Sequence, residues 1–71
     1  MNDASIEITL NGKPMALPYS MTLTQLAAFL QIDTGTIALG RNAEVVPKSQ
    51  FGETYVSAGD QIDVVQFVAG G

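Results

Sequence analysis

Residues 5–18, "SIEITLNGKPMALP", constrain the fold more than any other part of the chain. Apolar Ile6, Ile8 and Leu10 alternate with polar Ser5, Glu7 and Thr9, the period-2 pattern of a strand with one buried face. Asn11-Gly12 follows at once. A two-residue hairpin loop needs φ > 0 at both central positions, which Asn and Gly tolerate, so the two residues predict a tight antiparallel turn. Residues 14–18, "PMALP", are then the returning strand. Pro14 and Pro18 lack the N–H that a central strand donates, so this strand belongs at a sheet edge.

The period then changes. In "SMTLTQLAAFLQI" the residues Leu23, Leu26, Ala27 and Leu30 fall at i, i+3, i+4 and i+7, one stripe of a helix. Thr22 and Gln25 have the spacing of a capping box, and Met21 and Leu26 that of a hydrophobic staple. Residues 33–35 supply a stop, with Gly35 expected in the left-handed conformation just past the helix. "TIALGRN" returns to period 2 with Ile37 and Leu39 on one face. Val45 and Val46 precede a short helical turn at 47–51, begun by a proline, that tucks Phe51 under the sheet. Gly59-Asp60 makes a turn, and "QIDVVQFV" is the last strand.

One helix against one small sheet is the two-layer arrangement that these elements allow. A helical crossover normally leads to a strand parallel to the one before it. The predicted fold is therefore α+β, a small mixed sheet packed on one main helix, the β-grasp architecture of ubiquitin.

A chain of 71 residues supports one core, read here as a single domain over 1–67 followed by a flexible tail over 68–71. The sequence has no cysteine and no histidine, which excludes disulfides and thiolate metal sites and removes the commonest general base. Chemistry must then come from carboxylates, hydroxyls, a few cations or the chain ends. A net charge of -4 repels nucleic acid and anionic lipid and favours a protein partner. "MNDASIEITL" has no basic region leading into an apolar stretch, and no run of about 18 apolar residues follows it, so the chain is read as cytoplasmic with no membrane contact. No catalytic residue, metal site or bound cofactor is expected.

The last strand carries the functional signal. Ile62 and Val64 share the face that should meet the helix, while Asp63, Val65 and Phe67 share the other. Val65 and Phe67 are thus candidate partner-docking residues. The tail Val68-Ala69-Gly70-Gly71, extended at 3.3 to 3.6 Å per residue, reaches about 14 Å. Ala69 and Gly70 form a thin leader suited to a partner's narrow active-site channel, and Gly71 leaves its carboxylate sterically open.

"RNAEVVPKSQF" followed by "AGDQIDVVQFVAGG" resembles the second half of the ThiS family, the small sulfur carrier proteins of thiamin thiazole biosynthesis. In that family an N-x-E-(I/V)-V-P-(R/K) stretch leads to a GD turn and a terminal Gly-Gly. The first half agrees in length, hairpin and helix. Molybdopterin synthase small subunits also end in Gly-Gly, but are usually longer and typically carry a proline pair where this chain has Gln66, Phe67 and Val68.

The resemblance implies that the Gly71 carboxylate is adenylated by an E1-like adenylyltransferase, with ATP used by that partner and no cofactor bound by this chain. A sulfur-donating persulfide protein then supplies sulfur, and thiazole synthase consumes the resulting thiocarboxylate. A carrier of this kind catalyses nothing itself. Asp60, Asp63 and Glu53 are expected to meet basic residues of the activating enzyme, with Arg41 and Lys48 as minor partner contacts. Other readings compete: the same tail chemistry serving molybdopterin or a further sulfur pathway, a ubiquitin-like modifier joined to lysines, or an interaction domain whose tail is inert.

Overall fold

The computed structural model describes residues 5–67. It contains strands β1 (Ile6–Leu10) and β2 (Lys13–Leu17), helix α1 (Leu23–Phe29), and strands β3 (Ile37–Arg41), β4 (Glu44–Val46) and β5 (Gln61–Gln66). Short 3-10 turns occupy Thr34–Thr36 and Lys48–Gln50. The tail residues assigned a role above, Val68, Ala69, Gly70 and Gly71, lie outside the described residues.

The first hairpin forms as its sequence dictates. Asn11 and Gly12 sit at φ 50° and 84° between the paired residues Leu10 and Lys13. Positive φ at both central residues matches the right-handed twist of the strands they join. β2 is an edge strand, and Pro14 lies within it opposite Thr9.

The capping box at the helix start is complete. Gln25 N–H donates to Thr22 Oγ1 at 3.1 Å, and Thr22 N–H donates to Gln25 Oε1 at 2.9 Å. Met21 and Leu26 are both buried, as a hydrophobic staple requires. The stop differs from expectation. Gln31, not Gly35, takes the left-handed position, at φ 60°. Its N–H donates to the Ala28 carbonyl, and the next N–H, of Ile32, donates to that of Ala27. This pair of bonds closes the helix and turns Ile32 back onto the core. Gly35 instead sits in the following 3-10 turn, where its N–H is taken by Asp33 Oδ1 at 2.9 Å.

The five strands are ordered β2-β1-β5-β3-β4. β1 and β5 are parallel, and the β1–β2, β3–β5 and β3–β4 pairs are antiparallel. β3 therefore runs in the same direction as β2, as the crossover rule requires, but β1 and β5 lie between them. One face of the sheet closes on α1 through Ile8, Leu17, Leu23, Leu26, Ile37, Leu39 and Ile62, all buried. Phe51, delivered by the turn after Pro47, is buried in the same cluster. The result is the expected β-grasp arrangement.

Candidate functional site

Among the described residues, no helix lies over the other face of the sheet. Its strand positions are Pro14 and Ala16 on β2, Glu7 and Thr9 on β1, Gln61, Asp63 and Val65 on β5, Ala38 and Gly40 on β3, and Val45 on β4. Phe67 follows β5 directly, and its N–H donates to the Thr36 carbonyl at 2.8 Å, so it continues the alternation. As the alternation predicts, Ile62 is buried while Val65 and Phe67 are 56% and 55% exposed. Val45, expected only as part of a short apolar pair, is 81% exposed on the same face.

Between Val45 and Val65 lies a shallow groove of about 190 Å³, floored by Ala38 and Gly40 and bounded by Ala43. Asp63, paired with Gly40, stands beside it, while Glu44 lines it from a strand position that alternates with Val45 and faces the other way. The strand positions on this face carry the acidic residues Glu7 and Asp63 and, among the described residues, no Lys or Arg. An apolar surface with acidic borders suits a protein partner that presents apolar side chains beside basic ones.

Asp60 and Asp63, paired in the sequence reading as partner-facing acids, are divided by the structure. Asp63 is exposed at the groove, whereas Asp60 is only 7% exposed. Its Oδ2 accepts from Arg41 Nε at 2.8 Å and from the Ser57 N–H at 2.8 Å, and its Oδ1 accepts from Asn42 Nδ2 at 3.2 Å. Burial by itself would push this carboxyl up. The Ser57 N–H, the Arg41 and Asn42 side-chain bonds and the Arg41 charge outweigh burial and hold it below its ordinary value of 3.8. Asp60 is thus a clamp within the fold, and Arg41 is its partner rather than a loose surface cation. Lys48 Nζ donates to the Gly35 carbonyl at 3.2 Å, while Glu53 remains exposed.

Asn42 completes the clamp. Its backbone N–H donates to the Gln61 carbonyl at 2.8 Å, and its Oδ1 accepts from the Gln61 N–H at 2.9 Å. The β3–β4 loop is thereby fixed to the start of β5. At the other sheet edge of β5, Asn11 Oδ1 accepts from the Val64 N–H at 2.8 Å, continuing the ladder beyond the end of β1. Gly59, at φ 86°, turns the chain so that Asp60 enters the interior, and its N–H donates to the Glu7 carbonyl at 2.7 Å. The Asn of the N-x-E stretch and the Gly and Asp of the GD turn are therefore one hydrogen-bonded unit that sets the position of β5.

The β3–β4 hairpin was missed in the sequence. Its central residues, Asn42 and Ala43, lie at φ 53° and 72° between paired Arg41 and Glu44. Ala in this region costs about 1 kcal/mol, so Asn-Ala is a poor turn signal by itself. Only the Asn, three residues before a Val-Val pair, was available as a clue.

Among the described residues no helix is long and apolar enough to cross a membrane. The fold has relatives of known structure. A crystal structure of the thiamine biosynthesis protein ThiS from Geobacter metallireducens superposes with a TM-score of 0.82 at 29% identity, over 93% of this chain and 100% of that one. The solution structure of a thiamine biosynthesis protein from the same organism gives 0.79 at 29% identity, covering 93% of this chain and 88% of that one. In sequence, the chain is 35% identical over 66 residues to a thiazole synthase of Paramagnetospirillum magneticum, a match over 93% of this chain but 20% of the synthase. A thiazole synthase of Magnetococcus marinus matches at the same identity and coverage, so the chain spans only 20% of the length of either enzyme. The model of the ThiS family matches residues 8–71, nearly the whole sequence, and the chain belongs to the ThiS family.

Proposed function

We propose that this chain carries sulfur for thiazole formation in thiamin biosynthesis, on the carboxylate of Gly71. The observation that supports this most is the family match through Gly71, joined to an uncovered apolar face on the strand that leads toward that residue. In this reading a carboxylate oxygen of Gly71 attacks the α-phosphorus of ATP in an E1-like adenylyltransferase, and pyrophosphate leaves. The outer sulfur of a donor persulfide displaces AMP from the acyl adenylate. A thiol then cleaves the S–S bond, leaving a thiocarboxylate on Gly71 and a disulfide on the donor side. A carboxylate is a poor electrophile and its mixed anhydride with AMP a good one, so activation must precede sulfur entry. Thiazole synthase takes the thiocarboxylate sulfur.

This chain contributes recognition and presentation. Val65 and Phe67 dock against the enzymes, and Ala69 and Gly70 pass through the channel that leads to the reacting carbonyl. Intact-mass analysis of protein isolated from its own cells tests the proposal. An oxygen-to-sulfur increment confined to a C-terminal fragment ending at Gly71 supports it. Conjugates to other proteins in place of that increment would assign the chain as a modifier instead.

Docking through the open face makes a separate prediction. Phe67→Ala is expected to weaken binding to the adenylyltransferase by about tenfold or more, as loss of an aromatic anchor does. Its effect on stability should stay within about 0.5 kcal/mol, the range for exposed positions. Titration calorimetry and a thermal melt of the same sample read the two effects. Unaltered affinity with a large loss of stability would make Phe67 a structural residue.

A further inference from the structure

Gly40 and Ala43 are two residues whose identities the fold does not require. Gly40 lies inside β3, and its φ is outside the left-handed region. A Cβ at this position would lie 3.5 Å from the Glu44 carbonyl oxygen and 3.8 Å from Asp63 Cβ, both ordinary contacts. Alanine would fit and would favour the strand, since glycine loses more backbone freedom on folding. A glycine inside a strand commonly marks the close approach of another molecule. Ala43 presents the opposite case: at φ 72° glycine would be relaxed, yet the residue keeps a methyl group. Each choice works against stability, and both residues line the same groove. Strain held at a surface points to function there.

Resting on the carrier reading above, we infer that this groove seats one apolar side chain of thiazole synthase, with Gly40 leaving room at the floor and Ala43 closing the rim. A Lys or Arg beside that side chain faces Asp63. The occupant follows from two observations. A second copy of this chain would bring Asp63 against a like charge, which disfavours self-association through the groove. Two thiazole synthases carry a related sequence within their own chains, which ties this kind of domain to that enzyme.

The test titrates thiazole synthase from the same organism with the wild-type chain and with Gly40→Ala, Ala43→Gly and Asp63→Asn. Gly40→Ala is expected to melt at or above the wild-type temperature and to bind about tenfold more weakly, because one added methyl overfills the groove. Ala43→Gly should raise the melting temperature and still lower affinity, so the result does not hang on one variant. Asp63→Asn should slow association and reduce its salt dependence. Wild-type affinity in both Gly40→Ala and Ala43→Gly overturns the inference. So does failure of the wild-type chain to bind the synthase, or a wild-type dimer that Gly40→Ala dissociates. Binding that behaves as inferred, from a chain that never acquires the oxygen-to-sulfur increment, supports the groove and removes the carrier chemistry alone.

Discussion

Deleting Gly71, or adding one residue beyond it, is expected to abolish sulfur transfer while leaving the melting temperature unchanged. The loss should be complete because no side chain can substitute for the terminal group: the sequence has no cysteine to hold sulfur. In the carrier proposed above, an added residue keeps a carboxylate but moves it one residue beyond the position that the activating partner would act on. At the reacting centre a displacement much smaller than that already costs about 100-fold. Stability should not follow, because the buried hydrophobic residues of the described domain run from Ile8 to Ile62. Thiocarboxylate formation by mass and unfolding by circular dichroism read the two properties on one sample. Retained transfer by either variant would refute the role of Gly71.

Asp60→Asn should have the largest effect on stability. The amide keeps one oxygen acceptor but sets an NH2 group among groups that already donate: Arg41 Nε, the Ser57 N–H and Asn42 Nδ2. Stranding buried donors costs about 1–3 kcal/mol, more where a charge is involved. At about 4–8 °C per kcal/mol for a domain of this size, the melting temperature should fall by about 10 °C or more. The effect should also depend on pH. The folded-state carboxyl titrates below its ordinary value, so its contribution is complete above that value and is lost as pH falls through the lower, folded one. The melting-temperature gap between wild type and Asp60→Asn should therefore be constant near neutral pH and narrow below about pH 4. A gap that widened in acid would contradict this assignment.

The elements readable from the sequence are those whose signals are local. Thr22 and Gln25 satisfy each other across three residues, and Asn11-Gly12 carries the positive φ of its turn in its own side chains. Where structure depends on distant partners, the sequence was silent. Ala43 is held at φ 72° by an Asn42 whose bonds go to Asp60 and Gln61. Gln31 takes the left-handed position because Ile32 must return to the core, although Gly35 was the better local candidate. Asp60 and Asp63 look alike as acids near a strand start, and what separates them is largely the bonding of Asp60 to Arg41 and Asn42, both remote in sequence. The open face was legible through Val65 and Phe67 because alternation along one strand is local. The groove beside them was not, since it arises from the pairing of Gly40 with both Asp63 and Val45.

The place of β5 in the sheet also governs how the domain forms. β5 is the last strand in sequence, yet it stands between the β1–β2 hairpin and the β3–β4 hairpin, which do not otherwise pair. Until it enters, the chain has two separate two-stranded ribbons, each marginal alone in water. Joining them requires contacts between residues far apart in sequence, and chain entropy must be lost before those contacts form. Assembly is therefore governed by a late, long-range event. A chain cut before Gln61 would be left with two unjoined hairpins rather than a smaller sheet, and without Val65 and Phe67.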